Sequence, residues 1–368
     1  MPVSRPARPA PYLPTDAEML AARKDLESPL TFEEHLTVRA TGLGAWAGSD
    51  VLDAVTRIRG ELGEPHISYL PELADRGYRA TLLARSIAAL EGLSADGTAA
   101  GWRLTGGYAA EGEAARSLLE SDINILADVV GKESGAAPGT IKLRLLGPLS
   151  LAASTYLTSG ERVLSDHGAR RDVAEAQRAG FHGVVKLLRQ AVPGAQVLVQ
   201  VEEPLLVEVA AGQLPTSSGY RTLRAVPRHE LVALLGALHD ELEGLGAQVV
   251  TRTDYVKLHP EVRQTLAIPL LSMAGQPTSA WEALAPRLEA ERGLYLEVVD
   301  PLVRVPAGDL ARGLWSTWSD LGLGKKLLNQ LVLTETGSLA ATDPQRATTV
   351  LGHLTETARA LSEIAQDA

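Results

Sequence analysis

Charged residues in this chain gather where apolar runs end. In "QVVTRTDYVKLHP", Gln248 to Pro260, a short apolar run stops on Arg252, Thr253 and Asp254. Side chains two apart in extended backbone share a face, so Arg252 and Asp254 would form an ion pair or a clamp for an anion and an amine. Another run, "AQVLVQVEEP", closes on Glu202 and Glu203, and "HISYLPEL" closes on Glu72. Adjacent acids on a strand point to opposite sides, so one of Glu202 and Glu203 can face a shared site. The other is expected to meet a helix N-terminus or an arginine. Trp46, Gly147-Pro148, Asp300 and Thr334-Glu335-Thr336 follow further runs. A ring of carboxylates with one arginine would suit a small ligand carrying an ammonium and a carboxylate.

Other chemistries find little support. The chain has no cysteine, which removes disulfides, thiolate nucleophiles and Cys-ligated zinc or iron–sulfur sites. Its eight histidines (35, 66, 167, 182, 229, 239, 259 and 353) include no i,i+4 pair and no His-x-His. Gly42-Leu43-Gly44-Ala45-Trp46-Ala47 matches G-x-G-x-x-A, but so short a pattern reads better as a tight turn after a strand than as a dinucleotide site. With 35 Lys+Arg against 45 Asp+Glu the formal net charge is -10, and no basic run occurs. That balance argues against a nucleic-acid or anionic-membrane partner. No segment has the length and apolarity of a membrane span or a leader peptide, so a cytoplasmic location is expected.

The elements that must hold these residues repeat one rhythm. Eight apolar or alternating runs are each followed by an amphipathic stretch: "HLTVRATG" by "SDVLDAVTRIRGEL" with Ser49 as candidate N-cap, then "HISYLPEL", "TIKLRLLGP", "AQVLVQVEEP", "AQVVTRTD", "IPLLSMA", "LYLEVVD" and "LNQLVLTET". Such alternation predicts parallel βαβ units, and eight of them predict a single (β/α)8 TIM barrel. A Pro-rich N-terminal extension is expected over 1–30 and the barrel over 31–368. In this fold the functional site lies at the C-terminal ends of the strands. The expected site is therefore Glu72, Glu202, Arg252 and Asp254, with Trp46, Pro148 and Tyr220 as walls.

The blocks "ATGLGAWAGSDVLDAV", "GELGEPHISYLPEL", "LLGPLSLAAS", "VQVEEPLL", "GQLPTSSGY" and "VLTETGSLA" give the chain, from about 38 to 365, a further property. In order and spacing it resembles the methionine-synthase-like proteins of actinobacteria, related to the C-terminal barrel of cobalamin-independent methionine synthase and, more distantly, to uroporphyrinogen decarboxylase. The resemblance implies methyl transfer from a reduced folate to a zinc-bound homocysteine thiolate. It also implies that Glu72 and Glu202 hold the amino group of an amino acid.

The departures from that pattern fall on the metal. Where the synthases close strand 5 on a His-x-Cys zinc pair and an aromatic, this chain has Arg252, Asp254 and Tyr255, and Gly337 stands where a later zinc cysteine would be. A guanidinium cannot ligate zinc and its fixed charge repels one. Zinc is thus the cofactor the family would use, but its ligands are missing, and none is predicted; magnesium among Glu72, Glu202 and Asp254 is the weaker alternative. A free thiol titrates near ~8.5, so without zinc the family reaction lacks its nucleophile. Three readings remain: a methyltransferase that activates its thiol otherwise, metal-free chemistry of the decarboxylase kind, or a zinc-free barrel that binds an amino-acid-like or folate-like small molecule.

Overall fold

The structure, a computed structural model, describes residues 36–133, 137–254, 257–266, 268–272, 278–282, 284–290 and 293–368. The N-terminal extension and Tyr255 lie outside these residues. Ten strands are present among them: β1 (Arg39–Ala40), β2 (Ser68–Tyr69), β3 (Ser94–Thr98), β4 (Gly101–Thr105), β5 (Thr140–Leu146), β6 (Gln196–Glu202), β7 (Gln248–Arg252), β8 (Ile268–Ser272), β9 (Leu294–Val299) and β10 (Leu331–Glu335). Eight of them form one parallel sheet in the order β1-β10-β9-β8-β7-β6-β5-β2. The sheet closes on itself where Ile67 N donates to Ala40 O, Glu72 N to Gly44 O and Trp46 N to Glu72 O at 2.8–2.9 Å. All eight barrel strands fall in the runs named from the sequence, and the architecture is a (β/α)8 barrel.

The helices are α1 (Val51–Glu61), α2 (Leu82–Ala88), α3 (Ala110–Lys132), α4 (Pro148–Ser154), α5 (His167–Ala191), α6 (Leu206–Ala211), α7 (Arg228–Gly244), α8 (Pro260–Thr265), α9 (Thr278–Glu282), α10 (Ala285–Glu289), α11 (Ala307–Asp320) and α12 (Pro344–Asp367). Apolar periodicity explains why they lie on the sheet. In α12 the buried set Ala347, Val350, Leu351, Leu354, Ala358, Leu361 and Ala365 forms one stripe at 3.6-residue spacing. Asp50, not Ser49, caps α1, its side chain accepting from Asp53 N, so the helix begins one residue later than the motif suggested. The antiparallel hairpin β3–β4 is an insertion between barrel strands that the sequence did not reveal.

Two apolar regions result. The larger lies between strands and helices, and the smaller, made of Leu43, Ile67, Leu198, Val250, Leu270, Tyr295 and Val332, fills the barrel axis. Period-two alternation carries the axial rows upward from this plug. On β6 Leu198 gives way to Gln200 and Glu202, on β7 Val250 to Arg252, on β9 Tyr295 to Glu297. Each row starts in oil and ends in charge. At β10 the register shifts between Thr334 and Glu335, and this irregularity lets Glu335 reach Leu43 at the axis.

Helix α5 shows how tightly the outer layer is set. A Cβ placed on Gly180 would lie 1.5 Å from Ala89 O, so the helix approaches the 89–91 turn at backbone contact. Gly to Ala inside a helix ordinarily stabilises by ~1 kcal/mol. Here the sign should reverse, with Gly180→Ala costing about 3 kcal/mol or more because backbone must move, read as a lowered urea midpoint at unchanged slope.

Candidate active site

Five charged side chains from five strands or strand ends make one alternating chain across the C-terminal mouth. Arg144 on β5 donates from Nη1 to Glu72 Oε2 at 3.0 Å and from Nε to Glu202 Oε1 at 2.8 Å. Arg252 on β7 donates from Nε to Glu297 Oε1 at 2.7 Å and lies 3.5 Å from Glu202 Oε2 through Nη1. The order is Glu72, Arg144, Glu202, Arg252, Glu297. Glu202 and Arg252 are also register partners in the parallel ladder, so the backbone sets that contact before the side chains choose it. Burial alone would raise the Glu202 carboxyl, but the two guanidiniums hold it below its ordinary value. Burial alone would lower Arg252, and Glu202 and Glu297 together raise it. Three acids against two arginines leave one negative charge in the chain.

Beneath it lies a polar floor. Lys142, two residues before Arg144 on the same row, donates to Gly42 O and to Gln200 Oε1. Gln200 Nε2 donates to Leu43 O at 2.9 Å and to Glu202 Oε1 at 2.5 Å, tying the floor to the chain above. Glu335 Oε1 accepts from Leu43 N at 2.7 Å. Burial pushes Lys142 down and Glu335 up, each toward its neutral form. Tyr69 is raised by burial and by the neighbouring Glu335.

Glycines make this arrangement possible. A Cβ on Gly42 would sit 2.6–2.8 Å from the hydroxyl end of Tyr69, and one on Gly44, whose φ is +117°, would sit 2.9 Å from Arg144 Cδ. The Gly42-Leu43-Gly44 pattern is thus a close-approach turn, and the dinucleotide alternative is set aside. Behind β2, buried Arg85 donates to Leu70 O and Pro71 O and pairs with Asp122, fixing the strand end that presents Glu72. Leu82 N, at the start of α2, donates to the other oxygen of Glu72 at 2.9 Å.

The acids Glu202 and Glu203 separate as strand geometry requires. Glu202 joins the mouth, while Glu203 accepts from Leu149 N, Ser150 N and Ser150 Oγ at the start of α4. Burial pushes Glu203 up to about 7, against the pull of those three donors. The expected Arg252 and Asp254 pair does not form. β7 ends at Arg252, so alternation does not carry on to Asp254, which stands 44% exposed and pairs with Lys257 at 2.5 Å. Tyr220 is 93% exposed and walls nothing, Trp46 belongs to the core between strands and helices, and Pro148 is buried in the first turn of α4. Arg144, Lys142, Gln200, Glu297, Glu335 and Tyr69 were not among the expected site residues. Their signal was present as polar residues alternating within apolar strands, a pattern that in a barrel marks the axis.

Fold and mouth together define a (β/α)8 protein with an ion-paired polar site at the C-terminal ends of its strands. No protein-family model matches the chain, and no curated protein does. Among solved structures it is similar to a B12-independent methionine synthase from Shewanella sp. W3-18-1 in complex with selenomethionine, at TM-score 0.54 and 12% identity over 90% of this chain and 98% of that one. That likeness is one of fold. Oxaloacetate acetylhydrolase in complex with oxalate (TM-score 0.36, 14% identity, 84% and 79% covered) and D-psicose 3-epimerase with D-tagatose from Clostridium cellulolyticum H10 (0.31, 8%, 90% and 97%) match more loosely.

The residues of the mouth do not fit zinc. Among the described residues no three His, Cys, Asp or Glu are grouped to hold a metal. Glu72, Glu202 and Glu297 each pair with an arginine, the second oxygen of Glu72 accepts from Leu82 N, and Asp254 lies apart, paired with Lys257. The three acids named for magnesium are therefore divided between ion pairs at the mouth and an exposed pair.

Two outcomes are expected. Gly44→Ala should destabilise by about 1–3 kcal/mol, since it combines positive φ with displacement of Arg144, as measured by urea denaturation. For Glu203 the folded value of about 7 lies above the ~4.3 of an unfolded glutamate. Its contribution is therefore full below pH ~4.3 and lost as pH rises to about 7. Glu203→Gln should flatten that fall, so its melting temperature should drop less than the wild type's between the two ends of this range.

Proposed function

We propose that the barrel mouth binds a small amino-acid-like zwitterion without zinc, and that the protein does not carry out zinc-dependent methionine synthesis. The alternating chain from Glu72 to Glu297 is the observation that carries this reading. A guanidinium has five N–H donors. Arg144 engages Nε and Nη1 with glutamates, and Arg252 engages Nε and approaches Glu202 through Nη1, which among the described residues leaves Nη2 of each to meet a ligand carboxylate. The residual negative charge favours a ligand ammonium beside the glutamates. Held in place by one another, these groups need little reorganisation to receive such a ligand. The synthase-like fold supports the class of ligand, and the zinc-incompatible donor set argues against the synthase nucleophile.

The test is binding and metal content in one preparation. L-Homocysteine, L-methionine and methyl-tetrahydrofolate are titrated into protein of measured zinc content while the melting temperature and binding heat are followed. An amino acid at ~100 times its Kd should add ~2.7 kcal/mol of stability. Arg252→Lys keeps the charge but loses the planar fork; it should remain folded and bind at least ~10-fold more weakly, the ~1.4 kcal/mol of one charge-assisted hydrogen bond. Stoichiometric zinc together with methyl transfer to homocysteine would overturn the reading.

A further inference from the structure

The polar floor under the ionic chain contains hydrogen-bonding groups that the fold does not use. Tyr69 Oη and Glu335 Oε2 are buried and have no hydrogen-bond partner among the described residues. Both converge on the Gly42–Leu43 peptide. The hydroxyl end of Tyr69 lies over Gly42, and the other oxygen of Glu335 accepts from Leu43 N. Lys142 joins them from the side, donating to Gly42 O with its ammonium nitrogen 5.5 Å from the Tyr69 ring centroid. Leaving a buried hydroxyl and a carboxyl oxygen without partners is costly, and a phenylalanine in place of Tyr69 would avoid half of that cost. Retaining them points to a partner that comes from outside.

We propose that this floor is a second subsite, which receives a neutral hydroxyl or carboxamide at the end of the ligand's side chain; the proposal rests on the amino-acid reading above. The chemistry of the three groups selects the partner. Glu335 Oε2 can accept, Tyr69 Oη can donate or accept, and Lys142 can donate. A group able both to donate and to accept satisfies them together. A thioether or alkyl end satisfies none, and a second ammonium would be placed against Lys142. With the amino and carboxylate groups at the ionic chain one layer above, the ligand class becomes a short amino acid with a hydroxyl or amide side chain. Methionine would be the poorer fit.

Calorimetric titration of L-homoserine, L-glutamine, L-methionine and L-norleucine into wild type, Tyr69→Phe and Glu335→Gln tests this. In wild type, homoserine or glutamine should bind at least ~10-fold more tightly than norleucine, the scale set by leaving one buried polar group without a partner. That preference should vanish in Tyr69→Phe while norleucine binding stays unchanged and the melting temperature of the ligand-free variant holds or rises. Glu335→Gln should reduce the preference without abolishing binding of the shared amino-acid head. Equal binding of all four by wild type, or an unchanged preference in Tyr69→Phe, overturns the subsite and leaves the amino-acid reading standing. A wild type that binds none of the four overturns both.

Discussion

Arg144 stands between Glu72 and Glu202, and the top of the barrel is organised by the need to neutralise those two carboxylates where water is scarce. Removing a carboxylate from water is expensive unless a counter-charge with good geometry replaces the lost hydration. The planar fork of one arginine supplies that replacement to two acids at once, and Arg252 repeats the device between Glu202 and Glu297. The consequence is positional, because β2, β5, β6, β7 and β9 are joined at their upper ends by side chains as well as by backbone ladders. The Gly42–Gly44 turn has to be bare of side chains at its two glycines for Arg144 and Tyr69 to reach their places.

The same requirement explains how the floor differs from the rim. At the rim, acids alternate with guanidiniums, and the two arginines are partly open to solvent. One layer down no guanidinium is at hand among the described residues, and burial drives Lys142 and Glu335 toward neutrality. Gln200 is the link between the layers, accepting from Lys142 below and donating to Glu202 above. An amide can do both without adding a charge, which a second acid or base at that position could not.

The barrel was legible because each of its eight strands is an apolar run followed by a helix-period stretch. The hairpin was not, since "SADGT" and "GWRLT" lack the β-branched, apolar content that marks a strand. Within the site, Glu72 and Glu202 were found because they close their strands. Lys142 and Arg144 were overlooked because "TIKLRLL" reads as a strand with one wet face. In a barrel the outer face is covered by helices, so the polar row turns inward. Asp254 was misplaced for the opposite reason. Period two holds only within the strand, and β7 stops at Arg252.

The alternating chain also bears on how this barrel could change over generations. Because each interior member of the chain neutralises two neighbours, its residues are coupled, and substitutions among them are not additive. Replacing Arg252 by histidine or cysteine would remove the guanidinium shared by Glu202 and Glu297 before any second ligand arrived to form a metal site. That step therefore passes through a less stable protein. The ionic chain thus makes the effect of a change at Arg252 depend on what stands at positions 202 and 297.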